Sequence, residues 1–562
     1  MAFLVSPGVQ SKEIDASNSV PGVSTSTGAI AGAFNWGPVN DIVTVGSETE
    51  LVASFGSPDL LTNSTFTSAS IFLLYAQSLR VVRTEGAAQK NADNGSATNI
   101  SIQNKAAHDL LSSFPTGATF IAKYPGAIGN AIKVSVCPAG SAFATWSYKA
   151  GFDFAPGTSA FASTRGITGD EMHIALVDSS GAITGTAGSV IERFPHVSQL
   201  SDAKGGTGET VFYKNVINNQ SRWVWWAGHN STELTQVGSA SSAVSGAMDT
   251  HTAAITVDFT GGVDDSAPTA GNITTAYQKF SDSASVEIDF LIGGAVTQTV
   301  GNMLVAIADG RRDCIACISP EISDSTSATP AIAVLDWATN TTGAGTPITK
   351  STYAVLDSTA LKVYDKYNDV FINIGASAAV AGCMAATDEV ADPWFSPAGV
   401  ARGQIRGVTK LLWNPSQTER DSLYKAGVNP IVAMPGQGTM LFGDKTNAGA
   451  PSSFDRINVR RLFITLQKAI NLAAQAQIFE FNDEFTRAQF KNMIEPFLRD
   501  VKGRRGVTDF KVVCDGTNNT GTIVDTNQFI ADIYVKPSRS INFITLNFTV
   551  TRTGVAFSEI AG

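Results

Sequence analysis

The chain has 562 residues, of which 43% are hydrophobic and only 16% charged, with a formal net charge of −10 at neutral pH. That length exceeds a single core and suggests three or four domains, at about one per 150 residues. The charge fraction is well under the usual ~25%, the acidic balance argues against non-specific nucleic-acid binding, and no run approaches the ~18 apolar residues of a membrane span.

MAFLVSPGVQ has no basic stretch before its apolar residues and Pro7-Gly8 interrupts them, so no secretory leader is expected. Residues 1–27, rich in Ser, Val, Gly and Pro, read as an extended arm. From Gly28 to Arg83 the pattern becomes compact: GAIAGAFNWGPVN predicts a strand and turn, ELVASFG a short helix, TFTSASIFLLYAQSL an amphipathic helix and RVVR a buried strand. Residues 84–118 are polar and small and mark a boundary. Over 119–280, short β-like pieces (FIAKYPG, AIKVSVC, MHIALVD, VFYKNVI, RWVWWAG, AAITVDF) alternate with Gly/Ser/Thr turns, the texture of a β-rich domain. After Ala276, SVEIDFLIGG, TVGNMLVAIADGR and DCIACISP predict strand, helix, strand, an α/β unit with parallel pairing. VLDWA suggests a further short helix.

The last part reads as α+β. Asn458 is placed to cap a helix with apolar face Leu462, Phe463, Leu466, Ile470 and Ala473. Asn482 is placed to cap a second, with Asp483 and Glu484 in its first turn and a kink at Pro496. DFKVVCD and NQFIADIYVK predict strands. In the final run, Ile544, Leu546, Phe548 and Val550 alternate with Thr545, Asn547, Thr549 and Thr551, the period of a half-buried strand. A strand that apolar at a terminus needs a sheet to join, in its own body or in a neighbour.

Candidate chemistry is sparse. GTMLFGDKT (438–446) has Asp444 between Gly443 and Lys445, which puts a carboxylate where a Walker loop would hold phosphate, so a Gly-rich turn is the better reading. Cys314 and Cys317 form a C-x-x-C inside a predicted strand with no second pair or His cluster nearby, so the five cysteines (137, 314, 317, 383, 514) read as reduced core residues of a chain made in a cytoplasm. All five histidines (108, 173, 196, 229, 251) precede residue 252, leaving the well-patterned C-terminal half without one for base or metal chemistry. No G-x-S-x-G elbow supplies a nucleophile. Trp223, Trp225 and Trp226 could stack on a sugar or divide between core and cover; Asp264-Asp265 after Gly-Gly could hint at calcium but suits a turn. No catalytic residue, metal or cofactor is expected. Arg499, Lys502, Arg504 and Arg505, opposed in sequence only by Asp500, either complement a helix C-terminus or face an acidic partner.

Longer motifs carry a resemblance. SPGV, AGAFNWGPVN, LVASFGSP, LRVVR, KYPGAIGNAIKV, DFTGGVD, RRDCIACISP, KVYDKYNDV, DPWFSPAGVARGQIRGV, ERDSLYKAGVNPIV, PGQGTMLFGDKT, SSFDRINVRRLF, VVCDGTNNT and YVKPSRSINFITLNF, in that order, resemble the tail sheath proteins of contractile-tailed bacteriophages, the T-even type in particular. The match spans both ends and nearly everything after about residue 276, and only patches of 84–275. The short stretch between LRVVR and KYPG departs from long T-even sheaths, which carry an outer protrusion domain there.

The resemblance implies a multidomain α+β fold. It would comprise a terminal arm (1–27), a discontinuous middle domain (28–95 with 346–450), an inserted outer domain running from β-rich to α/β (96–345), an inner α+β domain (451–536) and a second arm (537–562). It implies a structural subunit, not an enzyme, that stacks as hexameric rings around a tail tube and contracts, in the virion after assembly in the host cytoplasm. Its partners would be itself, the tube, the baseplate and the tail terminator, with no direct nucleic acid and no membrane insertion. The arms would exchange strands between subunits through Val5, Val9, Ile541, Phe543, Ile544, Leu546, Phe548 and Val550, and Arg499, Lys502, Arg504 and Arg505 would face the tube. The sheath of a related contractile device (a bacteriocin or secretion system), a β-rich adhesin using the tryptophans, and an α/β enzyme built on Ile288–Pro320 are the alternatives.

Overall fold

A computed structural model describes residues 25–96, 98–228, 246–247, 253–343 and 345–542. The described chain divides into two compact units. One comprises Pro393–Ser396 and the residues from Asn458 onward; the other takes the remainder, up to Asp392 and again over Pro397–Ile457.

The larger unit is organised by a seven-stranded sheet. Its strands run, in spatial order, Val428–Asn429, Ala354–Asp357, Ile315–Ser319, Phe290–Ala295, Gly28–Gly32, Leu79–Arg83 and Ile42–Val45. Six are mutually parallel, with Ala29 opposite Leu291 and Ile30 opposite Val81; Ile42–Val45 adds an antiparallel edge. Sheets buried on both faces need near-continuous apolar strands, which GAIAG, LRVVR and IACIS supply. On one face Ala29, Leu291, Ala316 and Leu356 pack with Leu304 of helix Gln298–Arg311, Tyr277 of Ala270–Gln278 and Trp337 of Pro330–Thr339. Helices Asn63–Leu73 and Ser377–Val390 pack on each other and on the central strands. The fit there is tight: a Cβ at Gly28 would lie 2.6 Å from the Phe72 ring.

This sheet corrects the expected grouping of 96–345 as one inserted body. Phe290–Ala295 pairs directly with Gly28–Gly32, so the α/β unit after Ala276 belongs to the sheet of the N-terminal strands. What is inserted between strands of the large sheet is the β-rich stretch. Its main element is a four-stranded antiparallel sheet in the order Ile255–Asp258, Ile132–Cys137, Glu171–Asp178, Ser189–Ser198. VFYKNVI, expected as a strand, lies in helix Tyr213–Gln220, whose Tyr213, Val216 and Ile217 are buried. That i, i+3, i+4 stripe is helical, and tertiary packing overrides the β preference of its aromatic and branched residues. Arg83 and Glu85 form a fully buried ion pair at 2.7 Å; Arg83 also donates to Gly37 O, and Glu85 accepts from Asp265 N.

Candidate functional site

The smaller unit holds the residues that the sequence marks as interactive. Its core joins Leu462, Leu466 and Ala473 of helix Ile457–Gln475 to Phe490, Ile494, Leu498 and Val501 of helix Glu484–Gly503, with Trp394 completing it. The caps differ from expectation by a residue or so. Asn458 lies inside the first turn and donates to Trp394 O, while Asp483 rather than Asn482 caps the second helix, accepting from Thr486 N at 2.8 Å. That helix continues through Pro496.

Against these helices lies a two-stranded antiparallel sheet, Val507–Val513 with Asp532–Pro537, in which Phe510 stands opposite Val535 and Val512 opposite Ile533. Phe510, Val512, Ile533 and Val535 pack on the core, while Lys511, Tyr534 and Lys536 face solvent. Among the described residues each strand has one neighbour, so each has an outer edge of backbone donors and acceptors. A lone strand pair is marginal, and an open edge is a template for a further strand. The chain leaves this sheet at Pro537 and runs on to an exposed Ile541. Val5, Val9, Phe543, Ile544, Leu546, Phe548 and Val550 lie outside the described residues.

Arg499, Lys502, Arg504 and Arg505 are exposed at the C-terminal end of the second helix, as the sequence places them. Asp500 is not their sole counterion. Arg499 lies 3.9 Å from Glu495, Lys502 3.1 Å from Asp509 and Arg504 3.7 Å from Asp500, and the Arg504 guanidinium also covers the Trp394 ring. Glu495 is one helical turn before Arg499, a pairing visible in sequence; Asp509 comes from the next strand and is not. Sequence patterning passes over the connection between the two helices, where Phe479, Phe481 and Phe485 are exposed.

The remaining candidates have structural partners. Asp444 is buried against Arg456 and the Tyr424 hydroxyl, and Lys445 donates to Tyr424 O, so both charged groups of the 438–446 segment are engaged by neighbouring residues. Cys314 and Cys317 are buried thiols that form no disulfide. Trp225 and Trp226 are buried and Trp223 stacks on Trp36 at 4.9 Å, dividing core from cover. Asp264 and Asp265 accept from Ala127 N and Ala88 N, which ties them to distant segments of the chain. His173 is buried, accepting from His196 N while its other ring nitrogen meets Phe154 O, and burial pushes its pKa down. Among the described residues no group of three or more His, Cys, Asp or Glu could hold a metal ion, and no helix is long and apolar enough to cross a membrane.

Three family descriptions match in chain order: the N-terminal region of tail sheath protein Gp18 domain III over 25–84, the phage tail sheath protein central domain over 266–447 and the phage tail sheath C-terminal domain over 450–551. The tail sheath protein of Vibrio phage KVP40 is 31% identical over 704 aligned positions, with 100% of both chains covered. The chain belongs to the phage tail sheath family. That of Enterobacteria phage T4 is 30% identical, with 100% of this sheath chain and 99% of the T4 protein covered. Both alignments exceed 562 positions, so these relatives carry residues that this sheath protein lacks. Solved structures agree on the fold. A sheath tail protein from Listeria innocua superposes with TM-score 0.53 at 13% identity, covering 93% of this chain and 97% of that one. The contracted helical sheath of the anti-feeding prophage gives 0.52 at 14%, covering 98% and 99%. This sheath protein is accordingly a structural component of a contractile phage tail, from a family not known for enzymes.

Proposed function

We propose that this sheath protein polymerises as stacked hexameric rings around a tail tube, its subunits linked by exchanged terminal strands, and contracts to drive the tube through the host envelope. The observation carrying this reading is the two-stranded sheet Val507–Val513/Asp532–Pro537, which among the described residues has no further strand on either edge and from which the chain departs toward an alternating apolar segment. Backbone pairing at such edges gives strong attachment and lets the bodies rotate while the tethers hold. Val5 and Val9 in one arm, and Ile541, Phe543, Ile544, Leu546, Phe548 and Val550 in the other, are the proposed strand residues.

Contraction needs only contact area. About 300 Å² of added apolar contact, at ~25 cal/mol per Å², exceeds ~7 kcal/mol per subunit before ordering costs, so no nucleotide is required. Arg499, Lys502, Arg504 and Arg505 are the proposed tube contact, since exposed, salt-screened pairs release readily. Baseplate and tail terminator proteins would close the two ends, in a virion assembled in the host cytoplasm. Whole-chain identities of 30–31% to phage sheaths favour a phage tail over a related injection device. Deleting residues 1–15 or 545–562 is expected to leave a folded chain that forms no sleeves in negative-stain images; normal sleeves from either truncation would overturn the tether.

A further inference from the structure

Between the two long helices of the smaller unit, and into the first turn of the second, the sequence IFEFNDEF exposes an apolar group. Phe479 is fully exposed, Phe481 is 85% and Phe485 76% exposed, and Ile478 joins them. Phe479 also has φ +75°, a region that bulky side chains avoid unless a role holds them there. The loop is nonetheless anchored: Asn482 donates to Gln528 O at 2.7 Å and Asp483 caps the following helix. An anchored, exposed aromatic cluster is an interaction surface rather than a frayed end.

Its chemistry selects a partner. Glu480 and Glu484 are exposed between the phenylalanines and have no ion-pair partner among the described residues. Aromatic faces interleaved with carboxylates suit guanidinium groups, which stack on rings and pair with carboxylates through one planar fork. The same helix that begins at this loop ends, 20 residues on, in Arg499, Arg504 and Arg505. A helix of that length separates its ends by about 30 Å, so one copy cannot join its own loop to its own basic end. Two copies can. A contact between unlike ends of identical subunits is heterologous and propagates into rings or helices.

We propose that the Ile478–Phe485 loop docks, head to tail, onto the basic end Arg499–Arg505 of a second copy of this chain. The inference rests on reading the chain as a self-assembling sheath. It makes the neighbour's loop and the tube alternative partners of the same cations, whose surface pairs to Glu495, Asp500 and Asp509 exchange readily.

The test follows self-association of the full-length chain, without tube, by sedimentation at low salt. Glu480→Lys with Glu484→Lys, and separately Arg504→Glu with Arg505→Glu, should each weaken it at least about 10-fold. All four reversals in one chain should return it to within about 3-fold of the parent, which a merely structural role could not do. Phe481→Ser, at an exposed position that leaves the core intact, should weaken association without restoring under any charge swap. Wild-type association in either charge pair, no recovery in the fourfold variant, or a parent chain that stays monomeric overturns the proposal. So does a loop reversal that spares self-association yet blocks polymerisation on purified tail tubes. Failure of the strand tether reads out separately, through the 545–562 truncation.

Discussion

Asp357 ends its strand fully buried, with Ser319 donating to one carboxylate oxygen at 2.7 Å and the other oxygen lacking a partner among the described residues. Burial pushes its pKa up to about 8, only partly offset by the hydrogen bond from Ser319. In the unfolded chain the carboxyl ionises near pH 4. Between those values folding takes up a proton, so the contribution to stability is complete below about pH 4 and is lost as pH rises to about 8. Urea titrations at pH 5 and pH 8 should show the parent losing a few kcal/mol, at about 1.4 per pKa unit. Asp357→Asn, already neutral, should flatten that dependence; an equal slope in the variant would place the ionisation elsewhere. Nothing in AVLDST announces this acid, because the sequence shows a turn-former after an apolar run and not the neighbouring strand that buries it.

At the scale of elements, Gly382 in helix Ser377–Val390 sets propensity against packing. Alanine there gains up to about 1 kcal/mol of helix preference. Its Cβ, however, would stand 2.4 Å from the Tyr75 ring, whose hydroxyl accepts from Arg406 N at 2.5 Å and is held in the core. Overpacking of about 1–3 kcal/mol should win, so Gly382→Ala is expected to lower the denaturation midpoint despite better helix formation, and a raised midpoint would show that Tyr75 moves freely. Elements with one clear period were legible: GAIAG and IACIS as strands, RVVR as a buried strand, TVGNMLVAIADGR as a helix. VFYKNVI was not, since its composition favours a strand while its buried positions follow a helix. The two strands of the smaller unit were legible as strands; that they pair with each other was not, because pairing is set by segments distant in the chain.

For the whole molecule, sequence texture set the β-rich stretch apart from the C-terminal α+β part, but not the return of the chain after residue 276 into the N-terminal sheet, which only strand pairing discloses. A second such crossing is Pro393–Ser396, four residues assigned to the smaller unit although the chain on both sides belongs to the larger. Trp394 explains why. Its ring packs with Leu462, Leu498 and Val501, its indole N–H donates to Arg504 O at 3.1 Å, and its carbonyl accepts from Asn458. The side chain therefore belongs to a core formed otherwise by residues beyond 457, and removing it should leave a void there and nowhere else. Trp394→Ala is expected to destabilise by about 3–5 kcal/mol. If the two units have separate cores, calorimetry should show one transition moving down and the other staying in place. Equal movement of both would mean that the chain unfolds as one cooperative body.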